Sequence, residues 1–433
     1  MFNVVEIIKK KKNKIPLSNE EISYVYNGFI NKTITDYQMA AFLMAVNFTG
    51  YTDDEQYYAT KAMIESGKTF DLRVDGQIVV DKHSSGGVGD KVSIILTPLL
   101  VALGFYVGKM SGRGLGFTGG TIDKLESLNL NLDFDIKHYK EELLATKLLL
   151  TGQSEDMVKA DKEIYALRDV IGASDVFDLM VGSIMAKKLA LITDYIFLDV
   201  KVGEGAFCRN IDEARSLGDK MLKLSRKFNR KTIIHLTNMD KPLGRAIGNG
   251  IEVREGMDFL RGKPVSKDLY ELITHFAIDI LLETGRVSSK EEAMTKIEEV
   301  LKNQSAFHVF VNWVKYLKGD YQSLYDDSYF NPKYTLDVIS ENEGYLSFKK
   351  TSELGLISVD LKAGRKVKTD KVDPHAGIYL HKKTNDMVKK GELVASLYSS
   401  TPISEEAKKR FLANLQFNKE PKKMQDAILD IMK

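Results

Sequence analysis

The pattern of apolar and polar positions changes character twice along the chain. Residues 1–68 read as successive helices, with three start signals: Ser18 with Glu21, Thr35 with Gln38, and Thr52 with Glu55. A hydroxyl residue followed three places on by Glu or Gln is the capping-box spacing, so each pair predicts a helix start. Behind Thr35 the segment YQMAAFLMAVNF is apolar nearly all round, which predicts a buried helix. From about residue 69, apolar runs of strand length alternate with helix-like segments: 77–80 before 93–104, then 105–109 before 121–128. YIFLDVKV (195–202) and KTIIHLTNM (231–239) have the character of buried strands. Strands alternating with helices predict an α/β sheet, largely parallel.

Residues 155–192 return to helix, and a long helical region covers 268–318. The first of these is expected to pack against the N-terminal helices, which makes the helical domain discontinuous. From about residue 335 short strands with Gly and Asn-Asp turns predominate. The stretch AGIYLHKKTNDMVKKGELVASLYSS resembles the half-barrel of biotinyl and lipoyl carrier domains. It lacks their lysine at a tight turn, so the likeness predicts fold only. The expected fold class is therefore α/β: a small discontinuous helical domain (1–68 and 155–192), a larger α/β phosphate-binding domain (69–154 and 193–334) and a β-rich C-terminal subdomain (335–433). A chain of 433 residues has room for about two to three domains.

Composition narrows the function. The 62 basic and 60 acidic side chains leave a net charge of +2, which argues against nucleic acid as a partner. A single cysteine, Cys208, permits no disulfide within the chain and predicts a reducing cytoplasm. The N-terminal MFNVVEIIKKKKNK has no signal-peptide core. The longest apolar run, IILTPLLVALGF, is too short to span a bilayer and contains Pro98, so no membrane association is expected. The run Lys9–Lys12 with Lys14 reads as a solvated helix end favoured by the helix dipole.

Two glycine-rich loops carry the candidate chemistry: VVDKHSSGGVGDKVS (79–93) and KMSGRGLGFTGGTIDKLE (109–126). Each follows an apolar run and precedes a helix-like one. Glycines let a backbone approach an anion, and the next helix offers unpaired N–H groups. The first loop adds Lys82, His83, Ser84, Ser85, Lys91 and Ser93; the second adds Ser111, Arg113, Thr118 and Thr121. Hydroxyls and point charges suit a tetrahedral oxyanion. Adjacent loops of a parallel sheet open at the same edge, so the two are expected to hold one phosphate between them. Neither contains GxxxxGK[ST]. Gly114, Gly116 and Gly119 fit GxGxxG, but the motif is not on the first strand, and the preceding loop carries Lys and His, which a dinucleotide does not call for.

These loops, with NGFINKTITDYQMAAFLMA, IYALRD, SIMAKKLA, LDVKVGEGAF, PLGRAIGNGIEVRE and AGIYLHKK, resemble the signature motifs of the pyrimidine-nucleoside and thymidine phosphorylases. The likeness runs over essentially the whole chain. A more distant fold relative is anthranilate phosphoribosyltransferase. The resemblance implies phosphorolysis of a pyrimidine nucleoside (thymidine, deoxyuridine or uridine) to free base and (deoxy)ribose 1-phosphate. Inorganic phosphate is then co-substrate, with no organic cofactor, and the chain is expected to be a cytoplasmic homodimer joined through the helical domain.

The same resemblance implies roles for particular residues. Phosphate falls to Lys82, Ser84, Ser93, Ser111 and Thr121. His83 matches the catalytic histidine near the pyrimidine O2, where an imidazolium donates a proton as the bond breaks. Arg168, Ser183 and Lys187 match base-binding groups, Arg168 and Lys187 stabilising charge on the departing ring. Leu115, Tyr165 and Phe207 match pocket-lining residues. A structural potassium ion would be held by backbone oxygens of Gly89, Lys91, Leu243 and Ala246 and by the Glu255 carboxylate. Many members have Thr where Lys91 stands, so a bound ion requires the lysine side chain to point away.

The chain also departs from the family pattern. Phe117 stands where His is usual, Ser85 replaces Thr, and VIGASDVFDLM follows Arg168 and Asp169 in place of the common sequence. Val202 and Glu204 alter the KTGAGAF motif. These changes are expected around the nucleobase. Two alternatives stay open: a phosphoribosyltransferase, for which Asp90 and Asp123 are the candidate magnesium acids, and a nucleoside-binding protein with reduced catalysis.

Overall fold

A computed structural model of the chain describes residues 2–114, 116–154, 156–173, 176–366 and 369–433, with the Asp169 side chain also outside the described set. The central sheet has six strands in the order 428–432, 231–238, 195–202, 79–84, 106–110, 148–151. Its pairings run parallel except at one edge, where Ile428–Met432 lies antiparallel on Lys231–Asn238. The α/β class with a largely parallel sheet is borne out. The chain leaves Val79–Ser84 toward one side of the sheet and Tyr195–Val202 toward the other. Ligands of open α/β sheets bind outside the strand ends where the order reverses in this way.

Three of the early helices start where the sequence predicts. Ser18 and Thr52 each accept the backbone N–H of the Glu three residues on, which reaches back to the cap N–H. At Thr35, Gln38 accepts from both the backbone N–H and the hydroxyl. These helices form one core with Lys159–Val170 and Phe177–Ala190, through Phe42, Met39, Ile164 and Ala186. A two-residue parallel pairing, Phe70–Asp71 on Leu191–Ile192, ties the two stretches where the chain passes between this bundle and the sheet.

A second core lies between the sheet and the helices Val92–Ala102, Lys267–Glu283 and Ser305–Tyr316. The C-terminal part builds a third core on a four-stranded antiparallel sheet, 246–248, 377–380, 393–399, 334–339, and a three-stranded one, 387–388, 344–348, 415–418. The first of these takes its edge strand from the α/β region.

The lysine run ends a helix, Val4–Lys12, as the dipole argument expects. Lys11, however, is not solvated. It is 3% exposed, and its ammonium pairs with Glu55 at 2.7 Å. Glu55 also accepts the Leu17 N–H at 3.1 Å and the Thr52 N–H at 2.8 Å. One buried carboxylate thus satisfies three donors from three segments. Truncating one partner of a buried pair costs about 3–5 kcal/mol because the other charge is stranded. Glu55→Ala is therefore expected to destabilise the helical bundle by about that much, and Lys11→Met with Glu55→Leu together by far less. Urea midpoints of the two variants check this; equal losses would refute the ion-pair account.

Candidate active site

The site is built at the carboxyl ends of the adjacent parallel strands Val79–Ser84 and Tyr106–Met110. Alternation divides the first strand into two faces. Lys82 and Ser84 lie on one, toward the helix Lys267–Glu283, where the Lys82 ammonium sits 5.2 Å from the Phe276 ring. Asp81 and His83 lie on the other, toward the helical bundle, and Asp81 pairs there with Lys188 at 3.0 Å.

The first loop is held by short polar contacts. The Ser84 hydroxyl donates to the Asp90 carboxylate and accepts the Gly86 N–H. Ser85 accepts the Lys201 N–H at 2.9 Å and so stitches the loop to the neighbouring strand. Lys82 pairs with Asp199 at 3.1 Å, and Asp199 also holds Lys201 at 2.8 Å and the Thr237 hydroxyl at 2.6 Å.

In the second loop Gly114 and Gly120 lie back to back. A Cβ on Gly120 would come within 2.1 Å of the Gly114 nitrogen, so no side chain fits. Asp123 accepts the Gly114 N–H at 2.6 Å and pairs with Arg113 and Arg365. Thr121 opens the short helix Thr121–Leu125.

Lys109 joins the loops. Its ammonium donates to Ser93 at 3.0 Å and to Ser111 at 2.7 Å. Sequence reasoning missed it, although strand alternation puts Lys109 and Ser111 on one face. Eight lysines are buried among the described residues. Seven of them have a carboxylate partner in those residues. Lys109 has only the two hydroxyls. Burial, then the charges of Lys188 and Lys82, push its pKa down to about 7. A buried ammonium with no carboxylate in ion-pair distance among the described residues, beside two hydroxyls, suits an anion.

His83 is half-buried beside this centre. Burial, and then Lys188, Lys109, Lys82 and Lys187, hold its pKa well below the ordinary histidine value. Lys187, from the helical bundle, therefore lies within electrostatic reach of a loop of the sheet. Its ammonium donates to the Ser183 hydroxyl at 3.0 Å and pairs with Asp161.

Arg168 is turned inward, donating to the Ala173 carbonyl at 3.0 Å and the Leu179 carbonyl at 3.1 Å. It is held by Ala173 and Leu179 and is not presented to solvent. Tyr165 lies beside its guanidinium, 5.8 Å from it, and Phe207 is half exposed. Leu115 lies outside the described residues.

Two departures make contacts with the C-terminal subdomain. Phe117 packs on the C-terminal core, with its ring 6.2 Å from that of Phe207. Glu204 accepts the Ser352 N–H at 2.7 Å and its hydroxyl at 2.5 Å. That is a cap on the first turn of Thr351–Asp360. Val202 is buried in the core on the bundle side of the sheet. These three residues secure packing, and the C-terminal subdomain absorbs two of them. Of the 170–181 segment, Ser174 and Asp175 lie outside the described residues.

The expected potassium site is corrected. The Lys91 side chain does not point away: its ammonium lies 2.7 Å from the carbonyl oxygens of Gly89 and Leu243 and 3.1 Å from Glu255. Glu255 further accepts the N–H groups of Arg245 at 2.7 Å and Ala246 at 2.9 Å, so Ala246 joins through its N–H. The set does not fit a metal ion, because the ammonium already takes its oxygens. Burial opposes the Lys91 charge, but Glu255 and Glu252 outweigh it and raise its pKa. The acids a magnesium-diphosphate enzyme would use are also engaged: Asp90 by Ser84, Asp123 by two arginines.

Comparison with known proteins agrees with this architecture. Residues 5–67 match the helical bundle domain and 76–307 the a/b domain of the glycosyl transferase family. Residues 345–418 match the pyrimidine nucleoside phosphorylase C-terminal domain. Thymidine phosphorylase of Mycoplasmoides pirum is 46% identical over 411 residues, 94% of this chain and 97% of that protein. Pyrimidine-nucleoside phosphorylase of Bacillus subtilis is 40% identical over 427 residues, 97% and 98% of the two chains. Anthranilate phosphoribosyltransferase from Thermus thermophilus superposes with a TM-score of 0.57 at 16% identity, covering 72% of this chain and 99% of that one; this likeness is one of fold. The chain is a glycosyltransferase-family protein of bundle-plus-α/β architecture. Within that class it belongs to the pyrimidine-nucleoside and thymidine phosphorylase family.

The anion site has a pH signature. An anion bound at Lys109 favours the charged lysine, so the bound pKa lies above the free value of about 7. The contribution of Lys109 is complete below the free pKa and is lost as pH rises through the bound one. Sulfate, dianionic throughout, is expected to bind progressively more weakly above about pH 7. Lys109→Gln is expected to weaken it about 10- to 100-fold at pH 7, the worth of a charged hydrogen bond, and to flatten the profile. Calorimetric titration from pH 6 to 9 checks both; a flat wild-type profile would contradict the assignment.

Proposed function

We propose that the chain cleaves pyrimidine nucleosides by phosphorolysis. Inorganic phosphate is the co-substrate, no organic cofactor takes part, and the products are the free base and ribose or deoxyribose 1-phosphate. The observation that carries this reading is the unmatched Lys109 ammonium spanning Ser93 and Ser111, one strand from His83. Lys82, Ser84, Ser93, Ser111 and Thr121, with Lys109 added, hold the phosphate. A phosphate oxygen attacks C1′ of the sugar. The C1′–N1 bond breaks, its electron pair passes into the ring, and the His83 imidazolium gives its proton to O2. His83 then regains a proton from solvent.

The electrostatics order these events. With the site empty, burial and four lysines keep His83 unprotonated at neutral pH. A phosphate dianion offsets the lysine charges and lets His83 take up the proton it later donates. Arg168, Ser183 and Lys187 receive the base. Arg168, buried and bonded to the Ala173 and Leu179 carbonyls, is positioned by those bonds to receive the base when the bundle closes over the sheet. Closure also excludes water, which competes with phosphate for the sugar. A homodimer through the helical bundle is supported by Tyr37 and Phe48, 74% and 77% exposed and about three turns apart on one helix. A cytoplasmic setting is supported by the single buried cysteine.

Release of base from thymidine, deoxyuridine and uridine, with and without phosphate, tests the reaction. Phosphate-dependent release is expected from at least one, and equal release without phosphate would overturn phosphorolysis. His83→Ala is expected to lower kcat about 10²- to 10⁴-fold at neutral pH while sulfate still binds; unchanged turnover removes His83 as the acid.

A further inference from the structure

We propose that the Lys91 ammonium is a tethered replacement for a monovalent cation, and that it bolts the first glycine loop to the 243–255 segment without any free ion. An ammonium has three N–H donors, and Lys91 finds three acceptors: the carbonyls of Gly89 and Leu243 and the Glu255 carboxylate. Two neutral oxygens and one carboxylate carry the charge that a singly charged ion balances. An ammonium is also close to potassium in size.

The cage is closed around it. Gly244 has φ +73°, and a Cβ there would lie 2.7 Å from the Lys91 nitrogen and 2.5 Å from Glu255. No second cation fits beside the first. The tether also removes the cost of capturing an ion from solution, since the charge is always at the site.

Its position gives the bolt a purpose. Lys91 precedes the helix Val92–Ala102 and lies between Asp90, which holds Ser84, and Ser93, which meets Lys109. Fixing Lys91 to Leu243 and Glu255 fixes both neighbours. Lys91 is thus a positioning residue, and the inference holds whatever substrate the site takes.

The test is cation-selective stability of the full chain at fixed ionic strength. The wild-type melting midpoint is expected to be the same in potassium, ammonium, lithium and choline chlorides. Lys91→Ala, which empties the cage, is expected to melt at least about 5 °C lower in choline and to recover saturably with potassium or ammonium but not lithium. Lys91→Met, which fills the space without charge, is expected to lose as much and to recover with no ion. A saturable rise of the wild-type midpoint in potassium over lithium overturns the proposal, as does a folded Lys91→Ala that shows no selective recovery. If Lys91→Ala folds in no salt, the wild-type series alone decides.

Discussion

The site depends on buried ammonium groups and on which of them have a carboxylate. A lysine taken out of water is tolerated when its charge is answered within hydrogen-bond distance. Around the two loops this is done repeatedly: Lys82 and Lys201 share Asp199, Lys124 has Glu252, Lys91 has Glu255 and Lys188 has Asp81. Lys124 also donates to the Asp90 carbonyl at 2.7 Å, which anchors the turn that presents Ser84. The paired lysines order the loops, Lys82 among them, and Lys109, with no carboxylate in ion-pair distance among the described residues, leaves a charge to be answered by something that is not protein. The floor is rigid because an unpaired charge in any of these pairs is costly, and selective because one charge is left unanswered.

Neighbouring residues on one helix divide the coupling between bundle and sheet. Lys188 is buried against Asp81 and the Met110 carbonyl, 3.1 Å away, so it pins the bundle to both loop-bearing strands. Lys187, about 100° around the helix, instead faces Asp161 and Ser183 and contributes to the field at His83. The short Phe70–Leu191 pairing lies three residues beyond Lys188, so the bundle is tied to the sheet at both places.

Much of this was legible in the sequence, and the remainder was hidden for physical reasons. The helix starts at Ser18, Thr35 and Thr52 rest on contacts three residues apart, so local spacing carries them. The alternation of strand and helix carries the parallel sheet, and the parallel sheet brings Ser93 and Ser111 to one edge. Lys109 escaped because glycines and hydroxyls dominate its loop, and its meaning lies in a partner it lacks, which no pattern of residues states. The net charge of +2 likewise concealed a local excess, because carboxylates elsewhere in the chain balance the count. Glu204 and Phe117 were assigned to the base pocket from their place in motifs; their contacts, with Ser352 and the C-terminal core, are made across more than a hundred residues.

Lys91 shows how a single substitution can look like damage and be compensation. By sequence, a lysine among ion ligands threatens the ion. In three dimensions its stem is long enough to turn back and deliver an ammonium to the carbonyls of Gly89 and Leu243. The Glu255 carboxylate, also bonded to two backbone N–H groups, needs a positive charge nearby in either case. Exchanging an ion for a tethered ammonium leaves that balance unchanged. What differs is the coupling: an ion reports its concentration to the loop, and a lysine does not. On this proposal the geometry of Ser84 and Ser93 is set by the fold and not by the salt around it.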